Sequence, residues 1–127
     1  MLKAELFIDS SNGKGRGVFT NKAIKADTVI EVAPVIVMSA ADRLLLDKTL
    51  LHDYIFEWGK MKDQCCMALG LVSMYNHSYK SNCEYIMDYE TETIAVQTVR
   101  KIRQGEELTI NYNGDWNDPA KLWFEAD

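Results

Sequence analysis

Residues 84–99 read E-Y-I-M-D-Y-E-T-E-T-I-A-V-Q-T-V. Two alternating runs, Glu84–Tyr89 and Thr93–Val99, flank an acidic turn, and apolar residues at every second place mark half-buried strands. The stretch predicts a β-hairpin. Working outward, Gln64–Ala68 and Tyr54–Trp58 are short strand candidates, and Leu108-Thr109-Ile110 is a last one. Thr28–Val32 and Val35–Met38 are β-branched runs broken at Pro34, which suits an edge or a bend. Ala4–Ile8 is a further strand, and Asn12-Gly13 opens a turn leading into Gly17-Val18-Phe19. Helix is a minor component. Ser39 can cap a helix over Ala40–Lys48, with Leu44, Leu45 and Leu46 as its apolar face, and Pro119–Glu125 reads as a terminal helix with proline in its first turn. Many closely spaced short strands imply a mainly β fold, a small barrel or sandwich-like arrangement.

The chain has 127 residues, 47% hydrophobic and 26% charged, which is the length and balance of one globular domain. Disorder and a disulfide scaffold are both excluded by this composition. The longest apolar stretch, Val32–Met38, contains Pro34 and falls far short of the ~20 residues a membrane span needs. The amino terminus carries no apolar segment of signal-peptide length, so an intracellular location, cytoplasmic or nuclear, is expected. A net charge of −5 argues against direct nucleic-acid binding and suits a basic partner. Cys65, Cys66 and Cys83 lack the spacing of a four-ligand zinc site and read as small buried side chains in a reducing compartment. No metal is expected.

Three patches carry candidate chemistry. In Gly13-Lys14-Gly15-Arg16-Gly17 the alternating glycines permit positive φ and let a ligand approach the backbone. A plain tight turn is the favoured explanation of the glycines alone, and the strand that follows speaks against a dinucleotide phosphate site. Met74-Tyr75-Asn76-His77-Ser78 formally matches an N-x-S glycosylation acceptor, or an ordinary turn. With only His52 and His77 in the chain, no catalytic triad or metal site is evident. Gly105-Glu106-Glu107-Leu108-Thr109-Ile110-Asn111-Tyr112 is a turn entering a strand that ends in a tyrosine, whose phenol can act as a donor or an acid/base group.

In this order the patches resemble the SET domain of protein lysine methyltransferases: Gly15-Arg16-Gly17, then Asn76-His77-Ser78 with Asn82, then Gly105-Glu106-Glu107-Leu108 ending at Tyr112. The resemblance covers roughly Leu6 to Trp116. Asp53-Tyr54-Ile55-Phe56 and Met67-Ala68-Leu69-Gly70 are similar to the compact stand-alone SET proteins of large DNA viruses. It implies a single SET domain over residues 1–127, with no pre-SET and no zinc-binding post-SET module. The fold implied is the β-clip of small curved sheets with a C-terminal pseudoknot that brings Asn76-His77-Ser78 beside Tyr112.

The resemblance also implies roles. Gly15, Arg16 and Gly17 would hold S-adenosyl-L-methionine, or its product S-adenosyl-L-homocysteine, mainly through their backbone. Asn76 and His77 would meet its amino-acid and adenine parts. Tyr112 would be the catalytic tyrosine and Tyr54 would line the lysine channel. Ile110 stands where the family uses Phe or Tyr to limit how many methyl groups are added, and an aliphatic side chain leaves room for more than one. The chain departs from many members at Tyr79, where they place a cysteine, and it has no cysteine after Cys83. Another cover is then needed for the adenine and the channel, with Trp116 or Trp123 as candidates. A basic lysine-containing protein, such as a histone tail, is the implied substrate, and an acidic face of Glu106, Glu107, Asp115 and Asp118 would suit it. The similar viral proteins suggest a homodimer. Two rivals remain at this stage: a SET-like module that binds peptide or cofactor without turnover, and a β-rich structural or carbohydrate-binding module.

Overall fold

The computed structural model describes residues 5–112, which form two small sheets around one core. The first contains β1 (Leu6–Ser11) and β2 (Gly15–Thr20), an antiparallel hairpin in which Ser11 faces Gly15 and Leu6 faces Thr20. Two later strands complete it, β6 (Asn76–His77) and β9 (Glu107–Ile110). The second sheet holds β3 (Val29–Met38), β4 (Phe56–Trp58), β5 (Gln64–Ala68), β7 (Cys83–Asp88) and β8 (Thr93–Thr98), in the order β4-β5-β3-β8-β7. The hairpin read from residues 84–99 is β7–β8, paired from Cys83 opposite Thr98 to Asp88 opposite Thr93.

Alternation decides which faces meet. Ile94, Val96 and Thr98 of β8 are buried, as are Leu108 and Ile110 of β9. Ile94, Val96, Leu108 and Ile110 join Val18, Ile30, Ala33 and Ile102 in a cluster drawn from both sheets. Each such aliphatic side chain contributes about 1.5–3 kcal/mol when fully removed from water. Cys65 and Cys66 point to opposite faces of β5, and both faces are covered, so both are buried. Burial pushes the Cys66 and Cys83 thiols up to about 12, which keeps them protonated and unreactive.

Two expectations are corrected. Pro34 does not divide two strands: β3 runs through it, and the pairing changes hands there, from β8 over Val29–Pro34 to β5 over Val35–Met38. Only the carbonyl of Pro34 is required, as acceptor for the Leu69 N–H at 3.1 Å, so the missing proline donor leaves no gap. The Ser39-capped helix α1 spans Ala40–Leu46, but Leu44 and Leu45 are 68% and 66% exposed. Three successive residues spread over some 200° of a helix and cannot share one buried face. The Pro119–Glu125 helix lies outside the described residues. No helix among the described residues is long and apolar enough to cross a membrane.

The acidic face is corrected in part. Glu106 accepts from Arg100 Nη2 at 2.8 Å, from the Arg103 N–H at 3.0 Å and from Asn82 Nδ2 at 3.0 Å. Glu107 is bound to Ser11 and Asn76. Both carboxylates are thus engaged within the fold, and Asp115 and Asp118 lie outside the described residues. Burial pushes the Glu106 carboxyl up, but its bonds to Arg103, Arg100 and Asn82 outweigh that and hold it below the usual value. A depressed folded pKa gives stability that is present above the unfolded pKa and lost as pH falls through the folded one. Thermal melts of Glu106→Gln should therefore show a smaller loss of stability between neutral pH and pH ~3 than the wild type shows.

Candidate active site

Four segments converge on one open cleft. The β1–β2 turn supplies Lys14, and the start of β2 supplies Gly15 and Arg16. A 3₁₀ turn, Leu50–Asp53, leads in Asp53 and Tyr54. A second 3₁₀ turn, Val72–Met74, leads into Tyr75 and Asn76, and Tyr112 follows β9. The arrangement depends on β9, which lies antiparallel to β2 and parallel to β6, with Asn76 opposite Thr109 and His77 opposite Ile110. Asn82 fixes that insertion. Its Oδ1 accepts from the Thr109 N–H at 2.8 Å, and its Nδ2 donates to the Glu107 carbonyl at the same distance.

Tyr112 is held in the cleft at three points. Its hydroxyl donates to the Tyr75 carbonyl at 2.7 Å and its backbone N–H donates to His77 Nδ1 at 3.0 Å. Its carbonyl accepts from the Tyr85 hydroxyl at 3.4 Å. Burial pushes the phenol up to about 12, aided by the nearby carboxylates of Asp53 and Glu107. At neutral pH it is therefore a hydrogen-bond donor and not a base. His77 is buried, and because its Nδ1 accepts the Tyr112 N–H, that nitrogen carries no proton.

Asn76 donates to the Arg16 carbonyl at 3.1 Å and to Glu107 Oε2 at 2.7 Å, while Ser11 Oγ donates to Glu107 Oε1 at 2.8 Å. Gly17 is buried directly against this group, and a Cβ there would collide with Glu107 Oε2 and Asn76 Nδ2. Glycine is required by close approach.

Of the residues singled out in the sequence, Gly15, Arg16, Tyr54, Asn76 and Tyr112 line the cleft. Gly17 and His77 lie just behind, bonded to or packed against lining residues. Ile110 is fully enclosed in the core two residues before Tyr112. Trp116 and Trp123 fall outside the described residues.

Sequence reasoning missed Ser73, whose hydroxyl holds the Tyr54 carbonyl at 2.9 Å, and Glu31. Glu31 is buried in β3, where its carboxylate accepts from the Leu71 N–H at 2.6 Å and the Tyr75 hydroxyl at 3.0 Å. It thereby anchors the segment whose carbonyl holds Tyr112. A glutamate within Val29-Ile30-Glu31-Val32 was the available signal.

Against known families, a SET-domain model matches residues 15–113. The chain belongs to the SET-domain family. It is 36% identical over 126 residues to a Schizosaccharomyces pombe protein named histone-lysine N-methyltransferase, H3 lysine-37 specific, covering 98% of this chain and 80% of that one. Among solved structures it matches a Plasmodium falciparum protein provisionally assigned as a histone methyltransferase, with a TM-score of 0.65 and 24% identity. That match covers 91% of this chain and 98% of the other, and shows the shared fold. SET domains are protein lysine methyltransferases that take the methyl group from S-adenosylmethionine, and lysine methyl transfer is the activity of this SET domain.

Proposed function

We propose that this SET domain methylates a lysine in a basic peptide segment, with a histone tail as its substrate, and that Tyr112 is the catalytic tyrosine. The observation that carries the reading is the meeting, in one cleft, of the Tyr112 hydroxyl on the Tyr75 carbonyl with Tyr54, Asn76, Gly15 and Arg16. Support for a histone comes from the fission-yeast relative, whose name specifies histone H3.

The residues present fit the amino-acid end of S-adenosylmethionine: Lys14 and Arg16 bring positive charge for its carboxylate, and Asn76 brings a polar side chain for its ammonium. Gly15 leaves the backbone beside it uncovered by side chains, Gly17 is the proposed backbone contact next to it, packed against Asn76 and Glu107, and His77 is the proposed neighbour of the adenine. Trp116 is its proposed cover. When bound, the cofactor supplies a methyl group on a positive sulfonium.

The protein's own part is positioning. Asp53, an exposed carboxylate lining the cleft, favours entry of a cationic side chain. A lysine ammonium, with pKa about 10.4 in water, is disfavoured once it is desolvated between Tyr54 and Tyr112, and loses its proton more readily. Tyr112, protonated, does not take that proton; its hydroxyl and the Tyr75 carbonyl orient the amine. Ile110, smaller than an aromatic residue, would leave room for more than one methyl group.

The reading includes no metal. Among the described residues no three His, Cys, Asp or Glu side chains are placed to hold one. Incubation with core histones and labelled S-adenosylmethionine, followed by mass-spectrometric mapping, should show methylated lysines in basic tails, at a rate EDTA does not change. Binding of S-adenosylhomocysteine with no transfer to any basic peptide would contradict the enzyme. Loss of rate with EDTA, restored by zinc, would contradict the metal-free site.

A further inference from the structure

Asn76 has two amide N–H donors and one carbonyl acceptor. Both donors are spent within the protein, on the Arg16 carbonyl at 3.1 Å and on Glu107 Oε2 at 2.7 Å. What remains for the cleft is Oδ1, which no described residue engages. Glu107 enforces this orientation. An ionised carboxylate can only accept, so turning the amide over would set two acceptors against each other. The carboxylate is itself fixed, since Ser11 Oγ donates to its other oxygen at 2.8 Å. Gly17 provides the space in which the two side chains meet.

We propose that Glu107 is a positioning residue for the cofactor: by accepting from Asn76 Nδ2 it makes Asn76 Oδ1 a fixed acceptor for the α-ammonium group of the bound S-adenosyl ligand. The inference rests on the methyltransferase reading above. It divides the amino-acid end of the ligand between two partners. The ammonium goes to Asn76, and the carboxylate, which Asn76 has no donor left to serve, goes to Lys14 and Arg16.

Calorimetric titration with two ligands tests this: S-adenosylhomocysteine, and its desamino analogue in which hydrogen replaces the α-ammonium. In Glu107→Gln the new amide can donate as well as accept, so of the two acceptors that fix the Asn76 amide only the Arg16 carbonyl still does, and the amide is less firmly held. The Kd for S-adenosylhomocysteine should rise about tenfold, while that for the desamino analogue stays within about twofold of wild type. A merely structural role would weaken both ligands alike. Ser11→Ala, which releases the carboxylate without removing it, serves if Glu107→Gln does not fold, with a loss of about threefold expected on S-adenosylhomocysteine alone. Equal losses on the two ligands, or no loss on S-adenosylhomocysteine, overturn the role of Glu107 and leave the methyltransferase reading standing. A wild-type protein that fails to bind S-adenosylhomocysteine overturns both.

Discussion

Tyr112→Phe should lower methyl transfer by about 10²-fold or more while leaving S-adenosylhomocysteine affinity within about threefold of wild type. The substitution keeps the ring against His77, at 5.1 Å between centroids, and deletes one hydroxyl. That hydroxyl is the donor to the Tyr75 carbonyl, and with its pKa pushed to about 12 it stays a donor throughout the neutral range. Losing the bond should cost about 1 kcal/mol of stability, small enough for the variant to remain folded. Single-turnover transfer to a histone peptide, read beside a thermal melt, separates the two effects. Near wild-type turnover in a folded Phe variant would remove Tyr112 from the chemistry.

Glu31→Ala should be strongly destabilising, by about 3–5 kcal/mol in urea unfolding. It leaves the Leu71 N–H and the Tyr75 hydroxyl without their acceptor in the interior and opens a void between β3 and the Val72–Met74 turn. For a domain whose whole stability is about 5–15 kcal/mol, that is a large fraction. Gly70 belongs to the same group: its φ is +65°, and a Cβ there would collide with Glu31 Oε2. Burial pushes the Glu31 carboxyl up, more than its bonds to Leu71 and Tyr75 hold it down. A raised folded pKa means that stability falls as pH rises from the unfolded pKa through the folded one, opposite in sign to Glu106. Glu31→Gln keeps one acceptor and removes that slope, so it should be less destabilised than Glu31→Ala and flatter with pH. A loss below about 1 kcal/mol in Glu31→Ala would show that Leu71 and Tyr75 find other partners.

What the sequence disclosed, it disclosed through local pattern. β5 occupies Gln64–Ala68 as read, and the β7–β8 hairpin follows from alternation around an acidic turn, because strand pairing across a short turn is a local affair. Pro34 misled because a proline is compatible with a strand where only its carbonyl is bonded, and the bonded partner, Leu69, is not evident from the neighbouring sequence. The leucines of α1 misled because hydrophobicity was read without the helical step between them. Within the cleft, Gly15, Arg16, Tyr54, Asn76 and Tyr112 were legible as motifs, yet Ser73 and the residues that fix the others were not. Ser11 and Glu107 are 96 residues apart, and Glu31 meets Tyr75 across 44. No window on the chain contains both members of either pair. Glu107 reads in the sequence as part of an acidic face for a basic substrate, whereas its carboxylate is bonded to Ser11 and Asn76.

The most direct measurement is a crystal structure of the protein with S-adenosylhomocysteine and a lysine-bearing histone peptide. The thioether ligand should lie in the cleft with its amino-acid end at Lys14, Arg16 and Asn76. The lysine nitrogen should enter past Tyr54, within about 3 Å of the Tyr112 hydroxyl or the Tyr75 carbonyl. A ligand bound elsewhere, or a lysine nitrogen held away from Tyr112 with the cleft occupied, would contradict the site as built here.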